Sequence, residues 1–135
     1  MEPDQETLSE KVTASILLVE DNATIRRMLT MLLKRDGHTV VAVSGSKDAL
    51  ETLERSAAGT YELLLTDLMM PGMTGSALAL EARDRFGIQR VLLMSGYASA
   101  SDARAQGMPL LAKPFSPVEF ITAIQAALTG APQLA

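Results

Sequence analysis

Residues 61–75 read YELLLTDLMMPGMTG and set the pattern for the whole chain. The first six of them contain the apolar run Leu63-Leu64-Leu65, which predicts a buried strand that runs into Asp67. A Pro71-Gly72 turn follows, and a helix is predicted from about Thr74 to Phe86. This segment is therefore one strand followed by one helix.

The same alternation extends along the chain on both sides of this segment. Further strands are predicted at residues 15–20, 38–43, 88–94 and 109–112. The first helix carries the apolar stripe Ile25, Met28, Leu29, Leu32 and Leu33. The second is predicted to be capped by Ser46 and to bury Ala49, Leu50, Leu53 and Ala57. Residues 99–106 have almost no apolar stripe, so a brief or mobile helix is expected there.

The last helix has the clearest start signal. Ser116-Pro117-Val118-Glu119 combines a capping box with proline at the first helical position, and the helix is predicted to end by Gly130. Five apolar strands that alternate with five helical patterns predict an α/β fold, in which helices cover both faces of a doubly wound parallel sheet. We expect one domain at residues 15–130, between a flexible acidic leader or linker stub at 1–14 and a short tail at 131–135.

Composition excludes several classes of function. The 135 residues include 12 basic and 16 acidic ones, and Glu2, Asp4, Glu6 and Glu10 account for the net charge of −4. Without a basic excess, direct binding to nucleic acid is not expected. The absence of cysteine excludes disulfides and zinc-thiolate sites. There is no signal peptide and no apolar run near the roughly 20 residues that span a bilayer, so we expect a cytoplasmic protein without a membrane partner.

Polar residues follow four of the five predicted strands. In an open α/β sheet, ligands bind where the carboxyl ends of the strands meet. The residues at these ends are Glu20-Asp21, Asp67, Ser95 and Lys113-Pro114. Three carboxylates held together repel one another, and a hard cation such as Mg²⁺ offsets that repulsion.

A magnesium site beside a lysine and a hydroxyl is suited to phosphoryl transfer. The sequence Val19-Glu20-Asp21-Asn22 has no glycine-rich phosphate loop after the first strand, so a mononucleotide is not the expected ligand. The phosphoryl acceptor is then expected to be a side chain of the protein itself. Asp67, at the end of the central strand, is the candidate nucleophile.

Four motifs, LLVEDN, TDLMMPGMTG, MSGYA and AKPF, resemble those of the receiver domain of two-component response regulators. The resemblance covers roughly residues 15–128 and implies a flavodoxin-like (βα)5 fold with strand order 2-1-3-4-5. It implies that Glu20 and Asp21 hold Mg²⁺, for which Mn²⁺ can substitute, together with Asp67 and the backbone carbonyl of Met69. Asp67 matches the phosphoacceptor, and Lys113 matches the lysine that contacts the phosphoryl group.

The same resemblance assigns the switch residues. Ser95 matches the switch hydroxyl, and Pro114 matches a proline that the family holds in a cis peptide bond. Leu110 stands where many receivers have an aromatic residue, so we expect signalling to run through Tyr97 or through ordering of residues 99–106 instead. The stretch Ser95-Gly96-Tyr97-Ala98 is similar to receivers of hybrid sensor histidine kinases.

The expected function is that of a phosphoacceptor in a two-component phosphorelay. A sensor histidine kinase or a histidine phosphotransfer protein would supply the phosphoryl group, and the altered surface would act on a downstream protein target. Such a domain is not a conventional enzyme, since it catalyses only its own phosphorylation and dephosphorylation. The sequence is compatible with a stand-alone receiver or with one cut from a larger protein.

Each residue also has an ordinary explanation when it is taken alone. Asp67 fits a turn residue, Glu20-Asp21 fits a helix cap, and Lys113 fits a solvated charge. His38 is interpreted as structural, and the arginines are interpreted as a solvated surface. Two other functions stay open: an interaction module that is never phosphorylated, suggested by Leu110, and a flavodoxin-like cofactor binder.

Overall fold

The five predicted strands form one parallel sheet in the computed structural model, which describes residues 11–96 and 107–134. The strands are β1 (Ser15–Val19), β2 (Thr39–Val43), β3 (Leu63–Asp67), β4 (Val91–Ser95) and β5 (Leu110–Ala112). Their order across the sheet is β2-β1-β3-β4-β5, which confirms the predicted order. Because β1 and β3 are neighbours, the acids at their carboxyl ends lie side by side.

Helices cover both faces of this sheet. Within the described residues they are α1 (Ala23–Arg35), α2 (Ser46–Glu54), α3 (Gly75–Phe86) and α4 (Pro117–Thr129). Alternate residues of β1 point to opposite faces, so that Leu17 packs with α2 and α3 while Ile16 packs with α1 and α4. The doubly wound arrangement is therefore confirmed. The helix predicted at residues 99–106 lies outside the described residues.

Several predicted boundaries are wrong by one to three residues. The amide of His38 donates to the carbonyl of Leu33, and the amide of Ile88 donates to the carbonyl of Ala82. Both residues therefore complete the turn after a helix, and β2 and β4 begin later than predicted. Apolar character alone cannot separate such a turn from the strand that follows it.

The predicted start and buried face of α2 also need correction. Gly45 is the residue before the helix, and Ser46 is its first helical residue rather than its cap. The helix ends at Glu54, so Ala57 lies in the exposed loop beyond it. The stripe predicted for α1 is too wide as well, since Met28 is 46% exposed while Leu29 and Leu33 are buried.

Described residues on both sides of the predicted domain pack against it. The side-chain amide of Gln125 in α4 accepts from the amide of Val12 and donates to its carbonyl. At the other end, Gln133 accepts from the amide of Val91, and Leu134 is buried in the same hydrophobic cluster as Ile88. The chain therefore stays folded against the domain up to Leu134.

Replacing Leu134 with alanine is expected to lower the free energy of unfolding by about 2 kcal/mol, because Leu134 is only 3% exposed. Urea unfolding of the wild type and Leu134→Ala measures the difference. Pro132→Ala supplies the matched control, because Pro132 lies in the same segment but is exposed, and it is expected to change stability by less than about 0.5 kcal/mol. Equal unfolding midpoints for Leu134→Ala and the wild type would contradict the prediction.

His38 is a buried structural residue at the edge of the sheet opposite the acids. Its Nδ1 accepts from the amide of Ala14 at 3.0 Å, and its Nε2 lies 3.5 Å from Oδ2 of Asp36. Burial lowers the pKa of His38, although the carboxylate of Asp36 acts in the opposite direction. The folded chain therefore takes up this proton less readily than the unfolded chain does.

This depressed pKa predicts a loss of stability in mild acid. The contribution of His38 is complete above its unfolded pKa of about 6.5 and is lost as pH falls below that value. Asparagine can keep the bond to the Ala14 amide but does not titrate, so His38→Asn is expected to lose less stability than the wild type between pH 7.5 and pH 5. Urea unfolding at both pH values tests this, and parallel pH profiles for the two proteins would refute it.

Candidate functional site

Three carboxylates meet at the carboxyl ends of β1 and β3. Glu20 and Asp21 follow β1 directly, and Asp67 is the last residue of β3. One oxygen from each of these side chains lies within 4.8 Å of the others. Glu20 and Asp67 are buried, whereas Asp21 is exposed to solvent. The predicted acidic cluster is therefore present, with one member open to an approaching ligand.

Glu20 is fixed by bonds from three parts of the chain. Its Oε2 accepts from the amide of Asn22 and its Oε1 accepts from Lys113, both at 3.1 Å, while its own amide donates to the carbonyl of Val43. Burial raises the pKa of Glu20, but hydrogen bonds with Asp67, the Asn22 amide and Lys113 outweigh it and hold that pKa below its usual range. Glu20 is therefore ionised at neutral pH.

Asp67 has the opposite electrostatic balance. Burial and the neighbouring Glu20 raise the pKa of Asp67 to about 7, against the opposing effect of Lys113. The Glu20 and Asp67 carboxylates lie close together, so a proton on Asp67 relieves their repulsion. Without a bound cation, Asp67 therefore holds its proton more tightly than an ordinary aspartic acid does.

Lys113 follows β5 directly, and its ammonium group faces both carboxylates. Its Nζ lies 2.7 Å from Oδ1 of Asp67 and 3.1 Å from Oε1 of Glu20. Burial lowers the pKa of Lys113, but the bonds and charges of Asp67 and Glu20 outweigh burial and raise it. Lys113 thus stays charged and is not the solvated surface lysine that its position alone allows.

A cavity of about 490 Å³ opens over these side chains. Ser95 at the end of β4 and Met69 after β3 line it, and Ser95 is buried while Met69 is 53% exposed. The peptide bond between Lys113 and Pro114 is cis, and Pro114 also lines the cavity. The amide of Lys113 donates to the carbonyl of Ser95 at 2.8 Å, which joins β4 and β5 at this point.

One predicted switch residue among the described residues does not line this cavity. Leu110 is half-buried and packs against the core on the α2 and α3 side of the sheet, away from the cavity wall. Tyr97 lies outside the described residues. The cavity therefore gathers all the candidate residues from the strand ends but not Leu110.

The donor set fits a small, hard cation. All three side chains offer carboxylate oxygens, which are the ligands that Mg²⁺ prefers, and burial together with the neighbouring Glu20 raises the pKa of Asp67. The alternative interpretation of Glu20 and Asp21 as helix caps is wrong. Asn22 caps α1, since its Oδ1 accepts from the amide of Ile25 at 2.9 Å.

Sequence reasoning missed two residues that shape this site. Gly75 begins α3, and a Cβ there would overlap the carbonyl oxygen of Asp67. Arg26 is half-buried, and its Nη1 donates to the carbonyl of Glu20 at 2.8 Å, so the interpretation of all arginines as a solvated surface is wrong. The TDLMMPGMTG motif contains Gly75, but nothing in the sequence indicated the contact made by Arg26.

Residues 16–125 match the family model described as the response regulator receiver domain. The chain belongs to this family. This receiver domain is 32% identical over 123 residues to the transcriptional regulatory protein ResD of Bacillus subtilis, covering 87% of this chain and 49% of ResD. It is also 32% identical over 119 residues to the sensor kinase CckA of Brucella abortus, covering 84% of this chain and 12% of the kinase.

A solved structure extends the second of these similarities. The crystal structure of the receiver domain from the hybrid histidine kinase CckA aligns with a TM-score of 0.72 at 31% identity, covering 85% of this chain and 99% of that one. The resemblance to receivers of hybrid kinases is thereby confirmed. The receiver domain spans about half the length of ResD and a much smaller part of the kinase. Receiver domains are regulatory modules of phosphorelay signalling rather than conventional enzymes.

Proposed function

We propose that this receiver domain accepts a phosphoryl group on Asp67 from a phosphohistidine of a sensor histidine kinase or histidine phosphotransfer protein. The observation that carries the proposal is the position of the Asp67 carboxylate, which lies 2.7 Å from Lys113 and opens onto the cavity. A flavodoxin-like cofactor binder is disfavoured, because acids occupy the turn after β1 where a phosphate-binding loop would be needed.

The proposed reaction is an in-line transfer between two side chains. An ionised Oδ of Asp67 attacks phosphorus, a P–O bond forms and the P–N bond of the phosphohistidine breaks. The bonding electrons pass to the imidazole nitrogen of the partner, which takes a proton from solvent. Lys113 stays charged throughout and faces the oxygens of the transferring group.

Glu20, Asp21, Asp67 and the backbone carbonyl of Met69 are the proposed ligands of Mg²⁺. When bound, the cation supplies positive charge that offsets the negative charge of the carboxylates and of the phosphoryl oxygens. A cation and a proton would compete for Asp67, because a carboxylate ligand must be deprotonated in order to bind a metal. Lys113 pairs with both carboxylates and is positioned to turn toward the phosphoryl group.

The proposed phosphorylation changes the conformation of the surface that the domain presents to other proteins. The phosphoryl group carries about −1.5 to −2 charge at neutral pH and lies at the ends of β3 and β4. Ser95 is close enough to line the same cavity, and we propose that its hydroxyl moves toward a phosphoryl oxygen. The conformation that best satisfies the new charge is then selected, and a downstream protein target recognises it.

Intact mass spectrometry after incubation with Mg²⁺ and acetyl phosphate tests the proposed function. The wild type is expected to gain one labile phosphoryl group, and Asp67→Asn is expected to gain none. Asp84→Asn is the matched control, since Asp84 is exposed on α3 and pairs only with its neighbour Arg83 among the described contacts. The absence of a gain in the wild type at saturating Mg²⁺ would support an interaction module that is never phosphorylated.

A further inference from the structure

Arg26 joins the first helix to the loop that carries two of the acids. Its side chain is half-buried in the first two turns of α1 and reaches back past the helix start. Nη1 donates to the backbone carbonyl of Glu20 at 2.8 Å. A charged donor makes a stronger bond to a carbonyl than a neutral one does, and Arg26 offers a rigid planar group for it.

The bond completes the attachment of the Glu20 backbone. The amide of Glu20 donates to Val43 of β2, and its carbonyl accepts from Arg26 of α1, so that both sides of the residue are held by other elements. The next residue is Asp21, the exposed member of the acidic cluster. A change in the Glu20 peptide would therefore move both acids relative to Asp67.

We propose that Arg26 is a positioning residue that holds the Glu20 and Asp21 carboxylates in the arrangement that binds Mg²⁺. This inference rests on the proposed function. Arg26 acts through its bond to the Glu20 carbonyl and is not itself a ligand. Supporting bonds of this kind in metal sites typically change metal affinity by about 10- to 100-fold.

Charge and position predict opposite effects of removing Arg26. If the guanidinium acted only as a nearby positive charge, its removal would strengthen the binding of a divalent cation. If it holds the acidic loop, its removal weakens that binding. The sign of the change in Mg²⁺ affinity therefore distinguishes the two roles. A loss of stability alone would neither raise nor lower the Mg²⁺ affinity of the folded protein.

The test is a Mg²⁺ titration of the uniformly ¹⁵N-labelled chain, followed through the amide signals of Asn22 and Leu68. Arg26→Met keeps an apolar stem and removes the donors, and its Kd for Mg²⁺ is expected to rise about tenfold. Arg27→Met removes the same charge from the adjacent, exposed position, and its Kd is expected to stay within about twofold of the wild type. Urea unfolding without Mg²⁺ records the stability of each variant separately.

A Kd for Arg26→Met that is unchanged or lower would overturn the inference, as would an equal rise in the Arg27→Met variant. If Arg26→Met does not fold, Arg26→Gln replaces it in the titration. The glutamine side chain is too short to reach the Glu20 carbonyl, so the same rise in Kd for Mg²⁺ is expected. Failure of the proposed Mg²⁺ site, on which the proposed function depends, looks different. In that case the wild type itself would show no Mg²⁺-dependent shifts at these amides, and the inference would fall with it.

Discussion

Gly75→Ala is expected to displace the loop that follows Asp67, the proposed phosphoacceptor, and to lower the free energy of unfolding by about 3 kcal/mol. An added Cβ would overlap the carbonyl oxygen of Asp67 and would lie 2.9 Å from its carbonyl carbon and 3.0 Å from Cα of Leu68. These are backbone atoms, so rotation of a flexible side chain cannot relieve the overlap. The amide of Gly75 also donates to the carbonyl of Leu68 at 2.7 Å, which holds the two segments together.

The same substitution is expected to slow phosphorylation about 100-fold, because a displacement of about 1 Å at a reacting group has an effect of that size. Urea unfolding and the initial rate of phosphoryl gain from acetyl phosphate measure the two effects. Gly45→Ala is the matched control, since Gly45 also stands at a helix start but has no atom within 4 Å of an added Cβ. Normal stability and a normal rate for Gly75→Ala would show that the loop can move aside without consequence.

Gly75 illustrates why sequence reasoning reached the fold more easily than the supporting contacts. The fold depends on apolar periodicity and on the residues that interrupt it, and both are visible along the chain. Parallel strands then bring their carboxyl ends together, so the meeting of Glu20 and Asp67 followed from the predicted sheet. A contact between Gly75 and the Asp67 carbonyl depends on the path of a loop, which no periodic pattern records.

The direction in which the pKa of each acid is shifted could not be predicted from the sequence either. Mutual repulsion between the carboxylates was expected. Which of the two has its pKa raised and which has its pKa lowered depends on which accepts more hydrogen bonds. Glu20 accepts from the Asn22 amide and from Lys113, whereas Asp67 is close to Lys113 and to another acid. The pKa is therefore lowered at Glu20 and raised at Asp67.

This asymmetry predicts that the metal-free protein becomes less stable as pH rises through 7. The pKa of Asp67 is about 7 when folded, against a usual value of 3.8, so the folded chain binds this proton more tightly than the unfolded chain. The stabilising effect is complete below pH 3.8 and is lost as pH rises through about 7. Asparagine mimics the protonated carboxyl, so Asp67→Asn is expected to exceed the wild type in stability at pH 8 by up to about 4 kcal/mol.

Urea unfolding in a chelator at pH 8 and pH 5.5 measures this difference, which is expected to shrink at the lower pH. Saturating Mg²⁺ at pH 8 is expected to stabilise the wild type much more than Asp67→Asn, because a bound cation replaces the proton as the group that offsets the charge. Asp84→Asn, exposed and remote from the acids, is expected to follow the wild type under every condition. Equal stability of the wild type and Asp67→Asn at pH 8 without Mg²⁺ would mean that the charge of Lys113 alone offsets the repulsion between the Glu20 and Asp67 carboxylates. The instability of the metal-free site and its proposed affinity for a cation would then have separate causes, whereas we propose that both arise from the buried carboxylates of Glu20 and Asp67.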